Sequence, residues 1–99
     1  MYLIGDIGNT EIKICLFDKN YKVVKKLILK TNLISNKYLA SKLNFLKNYS
    51  KKINIILFSS VVPPVYFVIK KFLKKKIEQK CFELKQINLN KLVKIMVNK

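Results

Sequence analysis

Residues 3–18 read Leu3-Ile4-Gly5-Asp6-Ile7-Gly8-Asn9-Thr10-Glu11-Ile12-Lys13-Ile14-Cys15-Leu16-Phe17-Asp18, and the rest of the chain is organised around them. A short apolar run from Tyr2 to Ile7 stops at Gly8-Asn9-Thr10. Glu11 to Phe17 then alternates Ile12, Ile14 and Leu16 against Lys13, Cys15 and Phe17. Two strands joined by a tight turn follow from that pattern. The turn has the chemistry of a phosphate-binding element. Asp6, ending the first strand, offers hard oxygens to a magnesium ion or its waters. Gly8 permits close approach of the backbone and is expected to take positive φ, so that successive amides point into a phosphate. The Thr10 hydroxyl and the Asn9 amide add donors. Gly-Asn also serves ordinary hairpin turns in any sheet, so the signal lies in the whole strand-Asp-x-Gly-Asn-Thr-strand context.

Outward from this element, Asp18-Lys19-Asn20 marks a second turn, and Tyr21 to Lys30 reads as a third strand carrying Val23, Val24, Leu27, Ile28 and Leu29. Ser35 is the expected N-cap of a helix ending near Tyr49, with Tyr38, Leu39, Leu43 and Leu46 on one face. Ile53 to Phe58 is nearly continuous apolar and too short for a helix, which predicts a strand buried on both faces. Pro63-Pro64 bars that strand from continuing and prepares a helix from about Val65 to Lys76. Its apolar set is Val65, Val68, Ile69, Phe72 and Leu73, with Lys70, Lys71, Lys74, Lys75 and Lys76 on the solvated side. Lys80 to Leu84 suggests one more short strand, and Gln86 to Lys99 has no readable pattern. The order is βββαβαβ. Right-handed crossovers place the later strands beside the first in a mixed α/β sheet. This is the ribonuclease H-like order of the actin, hexokinase and sugar-kinase superfamily, and fold alone does not fix function.

Composition sets the bounds. At 99 residues the chain is one domain at most, with a marginal core. A hydrophobic share of 51% places it outside the disordered regime. The net charge of +16 invites a nucleic-acid reading. All 21 basic residues are Lys, however, whereas base readout and bidentate phosphate clamps favour the guanidinium fork. Solvated lysine faces are therefore favoured over a nucleic-acid partner. Without histidine or a close cysteine pair, neither a zinc site nor a redox Cys-x-x-Cys is available, and Cys15 and Cys81 are expected as buried free thiols of a reducing cytosol. The start lacks a basic leader, and Ile53 to Ile69 is interrupted by Asn54, Ser59, Ser60, Pro63 and Pro64. A cytoplasmic protein with no membrane partner is expected.

Two motifs now combine. Asp6-Ile7-Gly8-Asn9-Thr10 resembles the opening hairpin of type III pantothenate kinases. Leu57-Phe58-Ser59-Ser60-Val61-Val62-Pro63-Pro64 resembles that family's Ser-Ser-Val-Val-Pro strand-to-helix junction. The resemblance covers most of residues 1 to 84, and it implies ATP-dependent phosphorylation of pantothenate, the first step of coenzyme A synthesis, by a homodimer using Mg²⁺ and a monovalent cation (K⁺ or NH₄⁺). Asp6, Ile7, Gly8, Asn9, Thr10, Glu11, Ile12 and Lys13 carry over as the ATP-phosphate segment, with Asp6 facing the metal through water. Ser59 and Ser60 lie where ligand crevices of such sheets form, although an N-cap or turn role suits them equally.

The departures matter as much. The family's Gly-x-Asp-Arg loop, which carries the general base, and its later Asp-x-Gly-Thr turn, which supplies cation ligands, are both missing from residues 1–99, and no Asp follows Asp18. The expectation is an amino-terminal lobe whose second lobe is absent, able to supply the first ATP-phosphate loop but not to catalyse alone. A degenerate, non-catalytic binding or regulatory subunit is the alternative. A sugar kinase of the same superfamily would more typically carry Gly in place of Asn9. A nuclease of ribonuclease H type would need several carboxylates converging on two metals, and the chain has five acidic residues in all.

Overall fold

The structure, a computed structural model, describes residues 1–77 and 83–86. Three strands open it: β1 (Tyr2–Ile7), β2 (Glu11–Phe17) and β3 (Val23–Lys30). Helix α1 (Asn36–Lys42), strand β4 (Ile55–Ser60), helix α2 (Pro63–Lys76) and strand β5 (Glu83–Gln86) follow. The sheet order is β3-β2-β1-β4-β5. β1 pairs antiparallel with β2 and parallel with β4, and β5 runs parallel to β4. This is the βββαβαβ order and mixed α/β sheet expected from the sequence.

Alternation divides the sheet into two faces. Leu3 and Ile7 of β1, Ile12, Ile14 and Leu16 of β2, Leu29 of β3, and Ile56 and Phe58 of β4 point to one side. There they form a single core with Leu39 of α1 and Tyr66, Ile69, Phe72 and Leu73 of α2. On the other face Ile4, Cys15 and Phe17 make a smaller cluster with Tyr2 packed against it, and neither helix contributes to it. Tyr2 stacks on Tyr21 there, ring centroids 5.2 Å apart, and the hydrogen bond between them pushes the Tyr2 phenol upward. Cys15 is a buried free thiol, raised by desolvation. Cys81 lies outside the described residues.

Several boundaries differ from the sequence reading. The helix expected to run to Tyr49 stops at Lys42. Leu43 leaves helical geometry at φ −103°, ψ 19°, and a 3₁₀ turn over Asn44–Asn48 follows. Leu46 N–H donates to the Leu43 carbonyl and Tyr49 N–H to that of Leu46. A three-residue repeat brings Leu43, Leu46 and Tyr49 to the same side, so the tighter turn packs what an α-helix would splay. Ser35 caps α1 as expected, its hydroxyl accepting from Tyr38 N–H at 3.0 Å.

β4 begins at Ile55 rather than Ile53, because Asn54 N–H instead donates to the Met1 carbonyl. The Met1 ammonium donates to the Lys52 carbonyl and Asn54 Oδ1, and burial lowers its pKa. The strand was expected to be buried on both faces. Ile56 and Phe58 are fully buried on the helix side, but Ile55 and Leu57 on the other face are only half-buried. α2 starts two residues before Val65, with both prolines in its first turn, where a missing N–H costs nothing. β3 starts at Val23, since Tyr21 takes φ 64° in a turn whose Asn20 and Lys22 amides donate to the Asp18 carboxylate. Of the expected strand at Lys80–Leu84, residues 80–82 lie outside the described residues, and β5 is placed at Glu83–Gln86.

Gly5 marks the tightest point of the sheet. A Cβ there would come under 3 Å from atoms of the Phe58 ring on the neighbouring strand. Phe58 is itself fully buried, so neither backbone nor ring has room to withdraw. Gly5→Ala should therefore destabilise the fold by about 2 kcal/mol, lowering the thermal midpoint by roughly 10 °C. Phe58→Leu in the same chain should recover part of the loss, as expected of residues in contact. Differential scanning fluorimetry of the two single variants and the double variant checks both.

Candidate functional site

The β1–β2 register defines the geometry of the site. Asp6 pairs with Lys13 across the hairpin and with Ser59 across the parallel β1–β4 ladder, while Glu11 pairs with Lys30 of β3. Paired residues share a face, so Asp6, Glu11, Lys13, Lys30 and Ser59 all lie on the sheet face opposite the helices. They gather at one end, beside the turn Gly8-Asn9-Thr10. β1 and β4 both terminate here with their carboxyl ends side by side, and Val61 N–H continues the ladder to the Ile7 carbonyl at 3.1 Å. Ligand crevices of α/β sheets form at this kind of edge.

The turn itself is closed from inside. Gly8 N–H donates to the Glu11 carbonyl at 2.9 Å. A Cβ on Gly8 would meet that same oxygen at 3.1 Å, a tight approach that explains the glycine. Its φ is not positive, contrary to the sequence expectation, so glycine is needed here for space rather than for a left-handed backbone. Because the Gly8 amide is committed to Glu11, a bound anion would be met by Asn9 and Thr10, both exposed, and not by the amide of Gly8. Ile7 and Ile12 are fully buried in the helix-side core, so those two positions present backbone alone to the site.

Thr31 was missed by the sequence reading. Only 7% exposed, it donates its Oγ1–H to the Gly8 carbonyl at 2.8 Å and its N–H to the Thr10 carbonyl at 3.0 Å. Both carbonyls flanking Asn9 are thereby held by one residue from the end of β3. Tyr38 of α1 anchors that end in turn, its hydroxyl accepting from Lys30 N–H at 2.9 Å. The helix layer thus sets the position of the turn through two hydrogen-bonded links.

Ser59 and Ser60 take different roles. Ser60 Oγ accepts from Val62 N–H at 3.0 Å and shapes the entry to α2, the turn role considered for it from sequence. Ser59 is buried beside Asp6 in the ladder.

Two acids separate in space. Asp6 lies at the turn end of β1, whereas Asp18 follows Phe17, which pairs with Tyr2 at the opposite end. Five residue steps along the strand separate them, about 17 Å. The Asp18 carboxylate is already engaged by the Asn20 and Lys22 amides. No group of three metal-ligating side chains occurs among the described residues. The convergent carboxylates of a two-metal nuclease are therefore not formed by them. One carboxylate with phosphate oxygens completing the shell is, by contrast, a common donor set for Mg²⁺, so Asp6 fits that ion.

An open cleft of about 380 Å³ adjoins the turn, lined by Asn9, Thr10, Glu11, Lys30 and Asn32. A larger one of about 670 Å³ lies between α1 and α2, lined by Lys37, Lys71, Lys75 and Lys76 around Phe72. Size favours the second and chemistry the first, because only the first adjoins a carboxylate, exposed turn donors and paired strand ends.

A mixed sheet in β3-β2-β1-β4-β5 order that presents an Asp-x-Gly-Asn-Thr turn beside a parallel strand end belongs to the actin- and hexokinase-like class of α/β lobes. Within that class the comparison is specific. The family model for type III pantothenate kinases matches residues 2–99. A type III pantothenate kinase of Pelagibacter ubique (strain HTCC1062) is 48% identical over 98 residues, covering 99% of this chain and 40% of that relative. The chain belongs to the type III pantothenate kinase family, and it spans about two-fifths of the length of this curated relative.

Thr31 gives a direct test of how the turn is held. Thr31→Val removes the donor to a carbonyl in a part-buried setting and should cost about 1–2 kcal/mol, whereas Thr31→Ser should stay within about 0.5 kcal/mol of the parent. Urea unfolding followed by circular dichroism separates these outcomes. Equal stability of the two variants would mean that the hydroxyl does not hold the turn.

Proposed function

We propose that this chain is the amino-terminal, ATP-phosphate-holding lobe of a pantothenate kinase. In the full reaction the pantothenate hydroxyl attacks the γ-phosphorus of ATP. The new P–O bond forms as the bond to the β-phosphate oxygen breaks, and the hydroxyl proton passes to a base, giving 4'-phosphopantothenate and ADP. Such transfers depend on positioning and on charge stabilisation more than on covalent chemistry by the protein.

The observation that carries this reading is the turn at the carboxyl ends of β1 and β4. Asp6 would hold Mg²⁺, which supplies charge neutralisation on the phosphates when bound. Asn9 and Thr10 donate toward phosphate oxygens from a turn pinned by Thr31, and Lys13 adds a cation on the same face as Asp6. Preorganised donors of this kind need no rearrangement as charge develops. A base for the pantothenate hydroxyl is not identified in this chain, which has no Asp after Asp18. By the family resemblance, that base and the monovalent-cation ligands belong to segments beyond these motifs, and the enzyme acts as a cytoplasmic homodimer. The same lack of a base fits a non-catalytic nucleotide-binding subunit as a second reading.

Equilibrium dialysis with labelled MgATP should show binding by the purified chain. Asp6→Asn should weaken it about tenfold or more, the scale of a lost charge-assisted contact. Labelled pantothenate should not be phosphorylated by the chain alone. An unchanged ATP titration in Asp6→Asn would make the turn a plain hairpin. Turnover by the chain alone would show that a proton acceptor exists within it.

A further inference from the structure

We infer that Lys30, with Asn32, forms a second wall of the phosphate site, contributed by the end of β3 and contacting the nucleotide phosphates across the cleft from the Asn9-Thr10 turn. This rests on the nucleotide-phosphate reading of the turn and extends it to residues some twenty positions downstream.

Three observations converge. Lys30 and Asn32 line the same cleft as Asn9, Thr10 and Glu11. Lys30 is the register partner of Glu11, which places both side chains on the face that carries Asp6 and Lys13. The segment is fixed rather than adventitious, because the intervening Thr31 is buried and donates to the carbonyls of both Gly8 and Thr10, and Lys30 N–H is held by the Tyr38 hydroxyl. Lys30 and Asn32, on either side of that clamp, are exposed.

Charge explains why a second wall is needed. The loop from Asp6 to Lys13 contains two carboxylates and one ammonium, a net negative charge facing a polyanionic ligand. Repulsion of that kind lowers both affinity and encounter rate. Lys30 opposite Glu11 cancels the excess, so that a magnesium ion on Asp6 leaves the site net positive. An ammonium suits this task, being a compact point charge on a flexible stem that reaches phosphate oxygens without a fixed fork geometry.

The test compares MgATP and magnesium tripolyphosphate by isothermal titration on the full chain and on Lys30→Met, Lys30→Arg and Lys26→Met. Lys26 lies on the same strand and face, away from the cleft, and controls for the loss of one positive charge. Lys30→Met should weaken both ligands about tenfold, Lys30→Arg should stay within about threefold of the parent, and Lys26→Met should match it. Tripolyphosphate lacks the nucleoside, so a loss shared by both ligands assigns Lys30 to the phosphates. Parent-like binding by Lys30→Met overturns the inference and leaves the turn reading standing. Equal losses at Lys26 and Lys30, or failure of Lys30→Arg to restore binding, also overturn it. No binding of either ligand by the parent chain overturns the turn reading and this inference together.

Discussion

Phe58 lies against Gly5, and the rest of the sheet is arranged around that approach. β1 is the only described strand that joins an antiparallel hairpin on one side to a parallel crossover on the other. A side chain at Gly5 would push β4 away or turn the Phe58 ring out of the core. Close pairing of β1 with β4 is what brings Asp6 beside Ser59 and aligns the two strand ends. A packing constraint in the middle of the sheet therefore sets the geometry at its edge, and the polar end inherits its precision from an apolar contact.

The two faces divide the work. Helices α1 and α2 cover one face, and nearly all the fully buried side chains belong to the core formed on that side of the sheet. The opposite face carries the charged residues at its turn end and the Tyr2–Tyr21 stack at the other. The link between the layers is short: Tyr38 on α1 to Lys30, then Thr31 to Gly8 and Thr10. Rigidity reaches an exposed turn through three donor–acceptor pairs. That is how a loop with few apolar contacts of its own can present donors in a fixed arrangement.

The sequence makes some of this legible and hides the rest for identifiable reasons. The hairpin is plain because two alternating runs flank Gly8-Asn9, and alternation specifies both the strands and their register. Ser35 and Pro63-Pro64 mark the helix starts through backbone chemistry that is local. The break at Leu43 is concealed, since Leu39, Leu43 and Leu46 also suit an α-helix, and only the three-residue step on to Tyr49 favours a 3₁₀ turn. The shift of β4 by two residues depends on Asn54 meeting Met1, a contact between residues far apart in sequence. The Thr31 clamp and the pairing of Lys30 with Glu11 were missed for the same reason. A threonine after a strand carries no signature, and complementarity between Glu11 and Lys30 appears only once the β2–β3 register is drawn. Gly5 was passed over because its partner, Phe58, lies on another strand.

Family membership accounts for the matched turn and the Ser59-to-Pro64 junction, and the structure places the two motifs together, at the carboxyl ends of adjacent parallel strands. The proposed role in phosphoryl transfer turns on whether the cleft beside the Asn9-Thr10 turn holds nucleotide phosphates. Backbone amide chemical shifts recorded by NMR during a MgATP titration answer this most directly. Binding at the turn requires saturable shifts concentrated at Asp6 to Lys13 and at Lys30 to Asn32. Shifts concentrated instead at the lysine-lined cleft between α1 and α2, or spread over exposed lysines without saturation, would contradict it.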